Sequence, residues 1–538
     1  MVRLCGMAKI VLPLIWTALT VGCGGESPRI LEIDPKFAVV GQNLTIMGEC
    51  FGKEQGESFV TIGGVRPTLS SYIEWSDDKI VVRIPDFGEA GLIYVHKQNK
   101  QSNPVLFPML GSIPKLPESQ TSYAPAITRI NPASAAIGQS IMIQGNGFGS
   151  ARNGSAVLFS WIAERLPSVP AEVSPPPLIE ASGYEAWSEH EIRVRVCDGA
   201  ASGVVQLVTP RGKSAAAFEV TGKPGVKIIR DKRTYSISYS VDVRAEHAAP
   251  PNIMYLWRPI PASTASQLNK ETLSDSAESF VEDYQGAALY RLTDLKSGDT
   301  RRLSVSYLVD VYGAETQVQP NLVRQYADSP VFRAWTKSSP LVPSDDAAIK
   351  ETAAAYIGSE RNPYLKALAI YRNFLKDFTV TADVNGASIS QSLQEKQADP
   401  YTAAMLYCAL CRAAGIPAIP IAGVLCAGTG TARAHYWAEF WIDNFGWIPV
   451  DPALGAGFVP DTFKPEDDHA AYYFGNMDNR HLIFSYGETS HSQIDARGRA
   501  AGQKRNYSLQ NIWEEASGGI DAYSSHWSDI NVMGVYSN

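Results

Sequence analysis

Short runs in which apolar and polar side chains alternate fill the first half of the chain. Ile80-Val81-Val82-Arg83-Ile84 and Ile192-Arg193-Val194-Arg195-Val196 are of this kind, with glycine and proline turns between such runs. A period of two sends successive side chains to opposite faces of a strand, so these runs predict half-buried strands of small β-sandwiches. The alternation continues from about 225 to 325, in Tyr235-Ser236-Ile237-Ser238-Tyr239-Ser240-Val241 and in Arg302-Leu303-Ser304-Val305-Ser306-Tyr307-Leu308-Val309, which predicts a third β-domain. The pattern then changes. Asp345 to Ile357 and Pro363 to Phe378 carry apolar residues at three-to-four spacing, as one buried face of a helix requires. Strands return at about Ile416.

The first two β-regions are copies of one another. Residues 28–52 and 125–149 match at a constant offset of 97, through Pro28/Pro125, Ile30/Ile127, Ile33/Ile130, Pro35/Pro132, Gly41/Gly138, Ile46/Ile143, Gly48/Gly145, Phe51/Phe148 and Gly52/Gly149. After a proline-rich insertion (Pro167, Pro170, Pro175 to Pro177) the match resumes with Trp75-Ser76 and Trp187-Ser188, then Gly91 and Gly203. The pattern Pro-x-Ile-x-x-Ile-x-Pro, followed by glycine and by Gly-x-x-Phe-Gly, resembles the IPT/TIG family. The resemblance implies two immunoglobulin-like β-sandwiches, at 28–110 and 124–222. Such modules act as spacers that present another domain, with glycan or protein recognition as the alternative.

Residues 393 to 455 carry the candidate chemistry. Asp399-Pro400 has the form of an acidic N-cap followed by proline at the first helical position. Ala403, Met405, Leu406, Leu410 and Cys411 give that helix a buried face, and Gly415-Ile416-Pro417 ends it. Strands are expected over 418–426, 434–442 and 447–450, with a turn at Gly428-Thr429-Gly430. His435 opens the second strand and Asp451 closes the third. A base and an orienting carboxylate on adjacent strands, facing a helix start, are parts of a cysteine-His-Asp acyl-transfer site. The segments Cys411-Arg412-Ala413-Ala414-Gly415-Ile416-Pro417-Ala418, His435-Tyr436-Trp437-Ala438-Glu439 and Gly446-Trp447-Ile448-Pro449-Val450-Asp451-Pro452 resemble the transglutaminase-like superfamily. The similarity runs from about 225 to 490 and includes Tyr473-Phe474-Gly475-Asn476. It implies an α+β papain-like core at 340–490, preceded by the β-domain at 225–325. The extension at 491–538 is expected to add a strand and a short helix around Tyr507 to Ala516.

One position departs from that pattern. The family's nucleophile lies fifteen residues before the glycine of Gly-Ile-Pro, which in this chain is Pro400. Proline has neither a thiol nor an N–H, so it supplies neither an attacking thiolate nor an oxyanion donor. Ile419 stands where arginine is frequent, and Ala398 replaces a glycine. Cys408 lies eight residues into the helix, about 12 Å from its start at about 1.5 Å per residue, beyond reach of His435. If the hairpin closes near Gly430, Cys426 falls opposite His435 with Cβ atoms about 5 Å apart, which makes it the alternative nucleophile.

Length, charge and the N-terminus narrow the setting. At about 150 residues per domain, 538 residues hold three to five domains. A net charge of -8, with no basic run longer than Lys232-Arg233, excludes a phosphate-backbone partner, so no nucleic acid is expected. Arg3 and Lys9 flank the apolar stretch Ile10 to Thr20, and Thr20-Val21-Gly22-Cys23 resembles a bacterial lipobox. The resemblance implies a signal peptide at 1–22, lipidation of Cys23, and a place in the bacterial cell envelope, lipid-anchored at the outer membrane or periplasmic face. No later segment has about 18 consecutive apolar residues, so the remainder is expected to be soluble. Cys50, Cys197, Cys408, Cys411 and Cys426 are odd in number and sparse, unlike a disulfide framework. Cys408 and Cys411 lack the second ligand pair of a zinc site, and Pro465-Glu466-Asp467-Asp468-His469 reads as a solvated loop, so no metal or cofactor is expected.

These readings converge on a non-catalytic transglutaminase-like lipoprotein that binds or supports an envelope protein, peptide or glycan. One alternative is an amide hydrolase or acyltransferase using Cys426 with His435 and Asp451. The other is glycan or protein binding by the repeated modules.

Overall fold

The computed structural model describes residues 27–537, apart from 36–40, 64, 69–70, 85–90, 99, 108–123, 153, 163–177, 182, 223, 383–387, 461–462, 496 and 504. The expected signal segment, Cys23 and the proline-rich insertion lie outside the described residues.

Each repeat folds as a two-sheet sandwich. In the first, Arg29–Asp34, Asn43–Glu49, Lys79–Arg83 and Tyr72–Trp75 form one sheet, and Phe59–Ile62, Gly91–Lys97, Lys100–Gln101 and Val105–Phe107 the other. The second copy repeats the first sheet with Ala126–Asn131, Ser140–Asn146, Glu191–Arg195 and Tyr184–Trp187. The shared residues have shared duties. The indole N–H of Trp75 donates to the Phe51 carbonyl at 3.3 Å, and that of Trp187 to the Phe148 carbonyl at 3.3 Å. A Cβ on Gly48 would meet the Phe51 ring at 2.3 Å, and one on Gly145 the Phe148 ring at 2.6 Å. The repeated glycine therefore makes room for the repeated phenylalanine, which anchors each core.

The third β-domain is built on one long, bulged strand, β1 (Gly225–Pro259), paired antiparallel along most of its length with β2 (Thr300–Val318). The helical layer follows with α1 (Ala347–Ile357), α2 (Pro363–Asp377) and α3 (Pro400–Ala413). Asn362 and Asp399 cap α2 and α3, each with proline at the first turn, where its missing N–H costs no hydrogen bond. Every residue of α3 from Thr402 to Arg412 is buried, so its stability comes from packing. Truncating Leu406 to alanine at such a site costs about 2–5 kcal/mol.

Strands β3 (Ala418–Leu425), β4 (Gly430–Ile442) and β5 (Gly446–Val450) then form an antiparallel meander, and a short helix, α4 (Pro452–Gly455), follows directly. β6 (His481–Tyr486) pairs with the free edge of β3. The C-terminal extension closes the β-domain: β7 (Glu514–Trp527) and β8 (Ile530–Ser537) both pair with β1, and β8 also pairs with the start of β4. The third β-domain and the core thus share one sheet. The short helix expected near Trp513 to Ala516 is strand instead, because its backbone is drawn into the ladder opposite Met254 to Leu256. Among the described residues, Cys197, Cys408, Cys411 and Cys426 are free thiols.

The second sandwich is locked onto the core. Lys227 donates to Asp198 Oδ1 at 2.7 Å and to the Trp447 carbonyl at 2.6 Å, with both charged groups largely buried. Gly446, at φ +104°, lies so near that a Cβ there would stand 2.0 Å from Asp198 Oδ1. Gly446→Ala is expected to combine a left-handed backbone penalty with that collision and to lower stability by about 2–4 kcal/mol. Denaturant melts of wild type and variant would measure it, and a loss below 0.5 kcal/mol, taken as roughly the noise of surface substitutions, would contradict the packing described.

Candidate functional site

Strand alternation decides which way each side chain of β4 points. Tyr436, Ala438, Phe440 and Ile442 pack in one core with α3, together with Ala418 and Ala422 of β3. Trp437 and Trp441 belong to the opposite face, in a core shared with Ile419 and Ile421 of β3. His435 and Glu439 follow the register of that second face, since His435 pairs with Gly423 and Glu439 with Ile419. The ring that meets the start of α3 is therefore that of Tyr436, edge-on to Tyr401 with centroids 5.0 Å apart.

His435 is almost fully buried and its Nε2 lies 2.6 Å from Asp451 Oδ2. The other oxygen of Asp451 is committed: Oδ1 accepts from the amides of Ala453 and Leu454 as the N-cap of α4. A second histidine completes the group. His481, at the start of β6, places Nε2 3.3 Å from Asp451 Oδ2 and Nδ1 3.0 Å from Asp478 Oδ1. Asp478 in turn takes hydrogen bonds from Arg480 at 2.8 Å and from the Tyr473 hydroxyl at 3.0 Å. Trp437 packs edge-on to the His481 ring at 5.0 Å. Gly423 has no side chain to intrude beneath them: a Cβ there would come within 3.0 Å of Trp437.

The protonation pattern follows from these partners. Burial would raise the Asp451 carboxyl, but the charges and hydrogen bonds of His435 and His481 outweigh it and hold the group down at about 2. Asp478 is likewise held well below the usual carboxylate range by His481 and Arg480 against the opposing effect of burial. Ionised carboxylates only accept, so the facing imidazole nitrogens donate. Burial disfavours a charged His481, yet the two carboxylates, Asp478 foremost, override it and raise its ring to about 9. The His481 ring thus sits between two carboxylates, Asp478 and Asp451, that favour its charged form.

The helix start is engaged by the C-terminal extension. Asp399 Oδ1 accepts from the Thr402 amide at 2.7 Å, while its Oδ2 pairs with Arg505. The Arg505 guanidinium lies 4.6 Å over the Tyr401 ring, and the Tyr436 hydroxyl donates to the Asn506 carbonyl at 2.8 Å. The segment continues past Leu509, whose amide donates to Ser485 at 2.8 Å. Residues 505–509 thus lie against the helix start and the neighbouring strand.

The expected pairing of Cys426 with His435 is not formed. His435 stands opposite Gly423, and Leu425 opposite Arg433, so Cys426 is three residues beyond the histidine's partner, about 10 Å along the strand. An odd displacement also turns it to the other face, where it packs with Tyr235, Tyr239 and Val424. Burial there raises its thiol well above the usual range. Cys408 is pushed up to about 12 by burial, and Cys411 is raised as well. Sequence reasoning missed His481 and Asp478. Their spacing of three, just beyond Tyr473-Phe474-Gly475-Asn476, was the available signal.

Glu439 is a further buried titrating group. Burial lifts its carboxyl to about 7, only partly opposed by the Tyr486 hydroxyl that donates to it and by nearby Lys227. A carboxyl whose folded pKa exceeds its unfolded value of about 4.5 gives stability that is present below that value and lost as pH rises through about 7. The difference corresponds to on the order of 3 kcal/mol. Glu439→Gln is expected to flatten the decline in melting temperature between pH 5 and about 8. Parallel melts of both proteins would test this, and identical pH profiles would refute it.

Comparison with known proteins matches residues 28–108 to the IPT/TIG domain and residues 350–452 to the transglutaminase-like superfamily. An uncharacterized protein of Haemophilus influenzae is 26% identical over 240 residues, covering 37% of this chain and 64% of that protein, so the chain spans under two thirds of its relative. A solved structure from Cytophaga hutchinsonii, named as a candidate cysteine protease, aligns over 58% of this chain and 93% of its own at 16% identity and TM-score 0.38. The periplasmic domain of TgpA from Pseudomonas aeruginosa aligns over 40% of this chain and 88% of its own, at 16% identity and TM-score 0.24. The chain carries an IPT/TIG immunoglobulin-like domain and a transglutaminase-like domain, and the His435–Asp451 pair belongs to the latter.

Proposed function

We propose that the chain is an envelope lipoprotein, anchored through Cys23, whose transglutaminase-like domain does not perform acyl transfer and acts in binding or as a scaffold. The observation that carries this reading is Pro400 at the first position of α3. A thiolate at a helix start draws on the partial positive charge of the helix and on its free amides. Proline brings neither a nucleophilic atom nor an N–H, and its fixed φ serves only to begin the helix. Two further features favour the reading. The thiols of Cys408, Cys411 and Cys426 are buried with their ionisation suppressed. Arg505 and Asn506 engage the groups around the helix start. The partner in this reading is an envelope protein, peptide or glycan.

Selective labelling separates this reading from catalysis by Cys426. The native protein is expected to leave Cys197, Cys408, Cys411 and Cys426 unmodified by a maleimide probe at pH 8, and to expose them only on denaturation. Amide hydrolysis or amine incorporation should not exceed that of His435→Ala. Rapid labelling of Cys426, together with an activity that His435→Ala removes, would end the non-catalytic proposal. Anchoring is tested separately: Cys23→Ser should release the protein from the membrane fraction.

A further inference from the structure

His435, Asp451 and His481 bring together three potential ligand atoms, two imidazole nitrogens and one carboxylate oxygen. The three lie within 4.8 Å of one another, and all three residues are buried. We propose that they form a site for a divalent transition metal of the zinc type, holding it through both Nε2 atoms and Asp451 Oδ2.

The surroundings are those a metal site needs. Zinc takes imidazole and carboxylate donors at about 2.0–2.1 Å, so donors around a tetrahedral ion stand about 3.3 Å apart. The separation between His481 Nε2 and Asp451 Oδ2 is already 3.3 Å, whereas that between His435 Nε2 and the same oxygen is 2.6 Å and must open by about 0.7 Å. Two of the three ligands are oriented from behind. Asp478 accepts from His481 Nδ1, which leaves Nε2 as the coordinating nitrogen once its proton is displaced to solvent. The Ala453 and Leu454 amides hold Asp451 Oδ1 and leave Oδ2 to act alone. His435, whose Nε2 faces Asp451 Oδ2, would coordinate through that nitrogen once its proton moves to Nδ1. Three protein donors leave the fourth position of a tetrahedral ion to a water. The bound ion would cross-link β4, the turn into α4, and β6.

This inference goes beyond the non-catalytic reading and does not depend on it, since it is read out by metal binding. The purified full chain, stripped with chelator, would be titrated with Zn²⁺ by equilibrium dialysis, and with Co²⁺ while following its visible absorption. One ion per chain is expected, with the strong d–d bands of a low-coordinate Co²⁺ site and a melting temperature raised by zinc. His481→Ala should weaken zinc binding by at least 100-fold and remove the thermal shift, Asp478→Asn should weaken it by about 10–100-fold, and His469→Ala should leave it unchanged. Circular dichroism of the metal-free variants establishes that each is folded. Absence of stoichiometric zinc in the folded wild type would overturn the proposal. So would binding that survives His481→Ala, or binding lost with His469→Ala.

Discussion

Asp451 is a carboxylate with no solvent around it and four hydrogen-bond donors directed at it. One oxygen holds the two backbone amides that begin α4, and the other faces two imidazoles from different strands. A buried negative charge is tolerable only when its neighbours replace the lost hydration. Here they do so by joining β4, β5 and β6 at one atom pair, and Asp478 returns the favour to His481 from the far side. The tight run of strands around the site follows from that requirement. Removing either histidine would leave charge stranded in a dry interior.

Much of this was legible in the sequence, for reasons that differ by element. The duplicated glycines and phenylalanines announced two sandwiches because only a missing side chain lets the ring in, and Gly48 and Gly145 show that geometry. The limits of α3 were legible because capping chemistry is local: Asp399 accepts from Thr402, and Gly415 follows the last turn at φ +75°. The His435–Asp451 pair was legible through its motif. What failed was register. Placing Cys426 opposite His435 assumed a hairpin closed near Gly430, while the observed ladder aligns Gly423 with His435 and so centres on Thr429, and a shift of three residues reverses the face. His481 was missed because it arrives from a strand beyond the motif, and nothing local ties it to Asp451.

Pro400 starts α3 within the frame that also holds the histidine–carboxylate pair. Cap, helix, strands and the histidine–carboxylate pair all persist around a residue suited to starting a helix and unsuited to attack. The neighbouring groups are turned to internal bonding. Asp399 pairs with Arg505, Tyr401 stacks beneath it, and Tyr436 reaches the backbone of Asn506. Each of these contacts ties the helix start to the C-terminal extension, so the region has the interactions of a joint between segments.

The closing strands β7 and β8 carry a consequence for how the protein reaches this state. The Ser240 amide on β1 bonds the Ser528 hydroxyl 288 residues later, so a sheet begun at Gly225 waits for a segment synthesised long afterwards. Until they emerge from synthesis, β1 has one long unpaired edge, the kind of surface that recruits strands from other molecules. The two sandwiches close on their own sheets, but the larger body cannot. A nascent chain halted shortly before residue 514 would therefore present two finished modules attached to an adhesive, half-built remainder.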